Sequence, residues 1–447
     1  MFPDSSSRSA KLYERACAVM PGGNTRLTTY MSPYQLYAVR GSGSRVYDAD
    51  GVERIDFQNN YTTLIHGHSH PSIVAKVVAQ IERGTCFGLA TESEIALAEL
   101  LTSRCPSFER IRFVNSGTEA CMMAIAAARA HTKRSLIAKC EGAYHGSSDF
   151  AQISVTSNPD NWNSESDWAG SLPATLGESV GTPTGVLQNV IVVPFNDCAM
   201  TAKILRHHAN ELAAVIVDPL PPRIGLIPAH TEYLELLRQL TRETGSVLIF
   251  DEVISFRLGY RGAQGEAGVL PDLTALGKII GGGFPVGAVA GSEEVMSVFD
   301  PRSGRPKVRN GGTFNANPVT MVAGHAAMEM LTPEAFARLA EMGKYARSKI
   351  AEAFSASGVD GQVTGAGSLF RIHCTARPMS GYRSAYPTAL EKERVSTLIR
   401  QALNRGILLT EIGAGAISTV MEMEDLDRAA NAVYSALEEM KRERVVA

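Results

Sequence analysis

Three short stretches of the chain hold residue types that can do chemistry. Asn115-Ser116-Gly117-Thr118-Glu119-Ala120 follows a short apolar run and opens a helix-forming one. A helix start offers free backbone N–H groups and the positive end of a dipole, so Ser116, Gly117 and Thr118 could cradle a phosphate. The same residues also make an ordinary N-cap. Val247-Leu-Ile-Phe-Asp251-Glu252-Val253 sets an acid pair at the carboxyl end of a buried-strand pattern, where α/β sheets place their ligands. A buried carboxylate needs a partner. A protonated pyridine nitrogen, a metal or an arginine would each serve, and a structural salt bridge is the plain alternative. In Leu273-Thr-Ala-Leu-Gly277-Lys278-Ile-Ile-Gly281-Gly282-Gly283 a lysine stands between apolar residues and a glycine turn. Desolvation would leave its amine neutral and nucleophilic toward an aldehyde; a surface lysine in a turn is the alternative. The absence of a GxxxxGK[ST] loop disfavours a nucleotide-binding α/β protein.

The elements that must position these groups alternate. Helical spacing predicts helices over 71–83, 92–104, 118–131 and 231–244. Apolar, β-branched runs predict strands at 112–114, 136–138, 190–193, 214–217 and 247–250. Strands buried on both faces and separated by helices indicate an α/β fold with a parallel or mostly parallel sheet. Beyond about 325, helices over 333–355, 390–405 and 426–442 flank strand candidates near 361–363, 368–373 and 406–409. That pattern describes a smaller α+β domain. Runs at 35–39, 44–47 and 55–57 around the turn Asp48-Ala-Asp-Gly51 read as a hairpin or meander that packs with the C-terminal part. The expected division is an N-terminal segment over 1–60, a large domain over 61–325 and a small domain over 326–447.

Composition sets outer bounds. With 447 residues, 45% hydrophobic, 20% charged and a net charge of −3, the chain reads as soluble, with several structural units and no nucleic-acid footprint. The seven cysteines form no CxxC pair, which suits reduced thiols in a cytoplasmic setting. The start MFPDSSSRSAKLYERA has no apolar core of a secretory signal, and no run is long enough to span a membrane.

Asp251 and Lys278, in FDEV…PDLTALGKIIGGGFPVGAVAG, together with residues 115–120, 142–146 (Gly-Ala-Tyr144-His145-Gly) and 312–315 (Gly-Thr313-Phe-Asn), make the chain resemble the class III, subgroup II, pyridoxal 5′-phosphate (PLP) dependent aminotransferases. Within them it is similar to glutamate-1-semialdehyde 2,1-aminomutase and the β-amino acid aminotransferases. The resemblance implies the aspartate-aminotransferase-like fold. It implies that Lys278 forms a Schiff base with PLP and shuttles protons, and that Asp251 keeps the pyridine nitrogen protonated. Val253 would pack under the ring and Tyr144 over it, within the same stacking segment as His145. Ser116, Gly117 and Thr118 would bind the phosphate, with Thr313 from a partner chain, which implies a homodimer. Pyridoxamine 5′-phosphate would be the intermediate form.

Several residues are weighed on the same footing. Arg26, in the Pro-Gly-Gly-Asn-Thr-Arg loop, matches a substrate-carboxylate position, and Glu411 lies near an active-site glutamate of the aminomutases. His66-Gly-His68-Ser-His70 lacks the spacing and further ligands of a zinc site. Asp218 stands where most of the family has Glu. Glu411–Val420 lacks the second substrate arginine of the β-amino acid enzymes, which leaves Arg223 and Arg309 as candidates. Residues 171–184 resemble the aminomutase lid, whereas 312–318 look more like the β-amino acid enzymes. The expected activity is therefore transfer of an amino group from an amino acid or amine, a β-amino acid favoured, to a keto acid. The alternatives are the intramolecular aminomutase reaction and, from a different class, PLP binding without turnover.

Overall fold

The computed structural model describes residues 2–162, 173–302 and 304–446. In chain order the strands are β1 (Ala38–Ser42), β2 (Arg45–Asp48), β3 (Glu53–Asp56), β4 (Arg110–Val114), β5 (Leu136–Cys140), β6 (Val190–Val193) and β7 (Leu212–Val217). They continue with β8 (Val247–Asp251), β9 (Leu273–Gly277), β10 (Gly287–Gly291), β11 (Gln362–Thr364), β12 (Leu369–His373), β13 (Ile407–Leu408) and β14 (Ala414–Ala416). The chain forms two compact units. One holds Met1–Pro71, Arg338–Ala376 and Pro387–Ala447; the other holds Ser72–Ala337 and Arg377–Tyr386. Residue 325, expected at a domain boundary, falls inside the helix Pro318–Met330.

The second unit is built on a seven-stranded sheet of order β4-β10-β9-β8-β7-β5-β6. Strands β9, β8, β7, β5 and β6 are parallel, while β10 runs antiparallel to both β4 and β9. Alternation along β8 shows how both faces are filled. Val247 and Ile249 join a core with Ala120, Ala124 and Ala128 of the helix Gly117–Thr132. Leu248 and Phe250 join one with Tyr233, Leu237 and Leu240 of the helix Thr231–Thr244. The period of two puts Asp251 on the face of the first helix. Because β10 is reversed, the carboxyl ends of β4, β5, β7, β8 and β9 all lie along one edge of the sheet. Strands β9 and β10 were not expected from the sequence.

The first unit contains the sheet β1-β2-β3-β13 and the sheet β11-β12-β14. The N-terminal meander is completed by β13, which runs parallel to β3 with Ile407 beside Ile55. The helices Ala389–Asn404 and Met423–Val446 pack together beside it. Among the described residues no helix is long and apolar enough to cross a membrane.

Gly287 shows how tightly β10 is held. A Cβ there would stand 2.0 Å from the Ser116 carbonyl oxygen, whereas Gly88 has open space. Gly287→Ala is expected to cost about 1–3 kcal/mol in urea unfolding, and Gly88→Ala to stay within about 0.5 kcal/mol. Equal costs would show that the close approach carries no strain.

Candidate active site

Five strand ends deliver the site residues to one edge of the sheet in the second unit. Strand β4 ends at Val114, and Ser116 then caps the helix Gly117–Thr132, its side chain accepting from Glu119 N. The helix's first N–H groups have no partner within it and point out of its start. Gly117 is required here: a Cβ would lie 2.8 Å from Val253 Cγ1. Strand β5 ends at Cys140 and leads into Tyr144 and His145. That segment rests on the helix start, with Ser147 N donating to Thr118 Oγ1 at 3.3 Å. Gly146 lies so close that a Cβ would meet Thr118 Cα at 2.6 Å. Tyr144 is 46% exposed, His145 only 1%.

Asp251 closes β8 and is buried. Its Oδ1 accepts from Val253 N at 3.1 Å. Its Oδ2 lies 2.8 Å from His145 Nδ1 and accepts the Cys121 thiol at 3.4 Å. Burial is the main influence on His145 and holds its pKa below the ordinary value, against the opposing pull of Asp251. The neutral imidazole then donates through Nδ1, and its Nε2 has no partner among the described residues. Among the described residues the carboxylate thus meets a neutral imidazole, a thiol and a backbone amide, an arrangement that could also accept a cation such as a protonated ring nitrogen. The next acid, Glu252, faces away from this task. It accepts from Ala263 N, Gln264 N and Gln264 Nε2, and burial pushes its pKa up to about 7.

Lys278 follows β9 with φ at +50°, a left-handed conformation that costs a non-glycine residue on the order of 1 kcal/mol. Such strain persists only where the surroundings impose it. Here Gly277 precedes the lysine and Gly282, also left-handed, closes the turn after it. The lysine therefore follows directly on the strand next to that of Asp251. Asp218, at the end of β7, is buried, and its carboxyl is pushed well above the ordinary range by burial and then by the nearby Asp251. Arg223 stands on the short turn Pro222–Ile224 with its guanidinium 5.8 Å from the Tyr144 ring centre. It makes no ion pair among the described residues. Arg309 and Thr313 are exposed. Asn315, beside Thr313, accepts from Asn115 Nδ2 at 2.7 Å.

A second cluster forms in the first unit. Arg26 Nη1 donates to Asn60 Oδ1 at 2.9 Å, and its guanidinium lies 5.2 Å from the Tyr61 ring centre. Tyr61 Oη donates to Glu411 Oε2 at 2.9 Å and to the Thr28 carbonyl. Burial, more than Glu411, raises the Tyr61 phenol. Residues 59–62 all have positive φ, between 46° and 74°, a left-handed turn without glycine. The sequence reading gave no part to Asn60 or Tyr61; only the Asn-Asn pair, tolerant of that conformation, hinted at it.

Two of the histidines of 66–70 have other partners. His68 Nε2 lies 2.8 Å from Asp56 Oδ2, and His66 Nδ1 lies 2.8 Å from Thr419 Oγ1. No group of three or more His, Cys, Asp or Glu that could hold a metal ion occurs among the described residues. Of the stretch 171–184, Ser171 and Leu172 lie outside the described residues. The rest is anchored by Ser154 Oγ on the Ala174 carbonyl at 2.6 Å and by Glu178 on Val155 N at 2.7 Å.

A mostly parallel sheet with a capped helix start, a buried acid and a strained lysine along one edge is the scaffold of a PLP-dependent transferase. The chain belongs to the class-III aminotransferase family: the profile described as Aminotransferase class-III matches residues 29–439. Its curated relatives include the glutamate-1-semialdehyde 2,1-aminomutase of Methanosphaera stadtmanae, 36% identical over 433 residues, covering 96% of this chain and 98% of that one. An ω-transaminase from Sphaerobacter thermophilus superposes with a TM-score of 0.96 at 51% identity, over 98% of this chain and 99% of that one. A β-phenylalanine aminotransferase from Variovorax paradoxus superposes with a TM-score of 0.87 at 32% identity, over 98% and 96%. Members of this family use PLP, and the chain is an enzyme of that kind.

One buried group went unread in the sequence. Lys139 on β5 is fully buried and donates to the carbonyls of Ile153 and Cys140. Burial pushes its amine down to about 8 from the usual 10.5. Between those values the unfolded chain holds the extra proton, so the native state gains stability as pH rises through the window and loses it as pH falls. Relative to Lys139→Met, the wild type should therefore gain up to about 3 kcal/mol between pH 8 and 10.5 in urea titrations. A constant difference would mean that the buried amine is not depressed.

Proposed function

We propose that this enzyme moves an amino group on or between small carboxylate-bearing substrates, with the cofactor held at the sheet edge of the second unit. The observation that supports this is Lys278, held in a left-handed turn after the strand next to that of the buried Asp251, whose carboxylate meets His145, Cys121 and the Val253 amide among the described residues. When bound, PLP supplies an aldehyde for the amino group and a ring that accepts electrons from the substrate carbon. Lys278 would supply the nucleophilic amine that holds the cofactor's aldehyde and, once released from it, would serve as the base and acid that moves the substrate's proton. Asp251 holds the ring nitrogen protonated, and His145 keeps Asp251 oriented through Nδ1. Val253 supports the ring from below and Tyr144 covers it. The N–H groups and hydroxyls at Ser116, Gly117 and Thr118 take the phosphate. Thr313 completes that phosphate site from a neighbouring subunit in a homodimer. Arg26 takes a substrate carboxylate, its guanidinium set by Asn60 and Tyr61, and Glu411 lies on the other side of Tyr61.

Two finer readings remain, each with its own support. The intramolecular aminomutase reaction is the better supported by curated relatives, which carry that name at 36–37% identity over nearly the whole chain. The expectation of a β-amino acid transaminase is weakened to that extent. Transfer between two molecules is supported by the solved ω-transaminase at 51% identity. Incubation with glutamate 1-semialdehyde and no keto acid separates the two. Aminolevulinate formation favours the mutase, whereas conversion of a β-amino acid only with added pyruvate or 2-oxoglutarate favours the transaminase. In either case borohydride should bleach the visible absorbance band while fixing the cofactor covalently onto Lys278, and Lys278→Ala should lower turnover by about 10⁴-fold or more. A variant that keeps turnover would remove the lysine from the reaction.

Arg223 fits a second carboxylate better than Arg309 does, because its cation faces Tyr144. Arg223→Gln should raise KM for 2-oxoglutarate roughly tenfold or more while leaving pyruvate nearly unchanged. Equal changes for both acceptors would rule out this assignment.

A further inference from the structure

The segment that carries Tyr144 is braced by side chains from a remote stretch of sequence. Glu141 is buried, and its Oε2 accepts from Arg383 Nε at 2.8 Å. Its Oε1 accepts from Arg383 Nη2 at 3.3 Å and from Ser157 Oγ at 3.1 Å. The same Nη2 donates to the Trp162 carbonyl at 2.7 Å, and the guanidinium lies 5.3 Å from the Trp162 ring centre. Next in sequence, Tyr382 lies flat on Gly142, where a Cβ would come within 2.0 Å of Tyr382 Cδ2. Its hydroxyl donates to the Ser157 carbonyl at 2.5 Å.

Both residues lie on Arg377–Tyr386, a stretch packed with the second unit although the chain on either side belongs to the first. The stretch is tied to itself and to its surroundings. Arg377 donates to the carbonyls of Ser384 and Tyr386, each at 3.0 Å, and Asn196 Nδ2 donates to the Ser380 carbonyl at 3.1 Å. Residues 141–145 are therefore clamped at both ends, by Arg383 on Glu141 and by Asp251 on His145. Tyr144, between the clamps, has only Ser147 Oγ as a hydrogen-bond neighbour among the described residues, at 3.2 Å. Its height above the sheet edge follows from where the clamps put the backbone.

We propose that Arg383, through Glu141, and Tyr382, through Gly142, are positioning residues that set Tyr144 against the face of the bound cofactor. This rests on the reading of Tyr144 as the residue that covers the ring. A guanidinium fork can span both carboxylate oxygens and the Trp162 carbonyl, which a lysine cannot do. A pair that served stability alone would leave the cofactor's environment untouched when it was weakened.

The test compares the wild-type holoenzyme with Arg383→Lys and with Tyr382→Leu, which removes the ring from Gly142 without changing charge. Three quantities are read: the PLP dissociation constant, the circular dichroism that PLP acquires in its absorption band, and Tm. The expected result for either folded variant is a dissociation constant raised about tenfold and an induced signal at least halved. A lowered Tm with unchanged affinity and signal would reduce the brace to a structural tie and overturn the proposal, as would no change in any of the three. A wild type that takes up no PLP would sink the underlying reading as well, an outcome plainly different from a wild type that loads beside unaltered variants.

Discussion

The hydrogen bond between His145 and Asp251 is the interaction on which the rest of the second unit depends. A carboxylate placed inside a protein is tolerated only if its charge is met. Among the described residues, the donors to the Asp251 carboxylate are an amide, a thiol and an imidazole that burial keeps neutral. They orient the carboxylate without cancelling it. The packing of β8 between two helical layers keeps this arrangement, and Asp218 nearby has its own charge suppressed by burial first and by Asp251 second. Two ionised acids at this depth would repel; under the proposed function, Asp251 at the sheet edge is the one that meets a cationic ring.

The first unit makes a different use of strain. Four consecutive left-handed residues, none a glycine, bring Asn60 to Arg26 and Tyr61 to Glu411. An ordinary turn would send these side chains elsewhere. The result is an arginine and a glutamate kept apart by a tyrosine that touches both, so that neither neutralises the other. An arginine left in this state retains its capacity for a carboxylate of another molecule.

Much of this was legible in the sequence where a local pattern coincided with the final environment. The helix Thr231–Thr244 has a clear apolar stripe, and β8 is an uninterrupted aliphatic run, so both were expected where they stand. Other elements lack any such stripe. The helix Pro318–Met330 is buried on most sides, which erases the period of 3.6. Strand β10 is Gly-Ala-Val-Ala-Gly, small because Ser116 and Asp272 press against its ends and not because of any strand preference. The expected strand at 136–138 stopped short of Lys139, since a lysine ordinarily marks the end of a buried run, yet β5 continues through it to Cys140. Lys278, Asp251 and the helix start could each be singled out in the sequence because the motif around each is local. Glu141 and Arg383, 242 positions apart, left no trace in either neighbourhood.

The reversed strand β10 has a consequence for what can be captured. It lies between β4, which leads to the anion-binding turn, and β9, which leads to the lysine. At about 4.8 Å per strand, the two anchors are held roughly 10 Å apart, while the strand of Asp251 adjoins that of the lysine. The sheet thus works as a gauge. Under the proposed function, an inorganic anion would reach one anchor and a simple aldehyde the other, whereas an elongated molecule with both functions at opposite ends would span the gap, so selection by length would precede any bond-making.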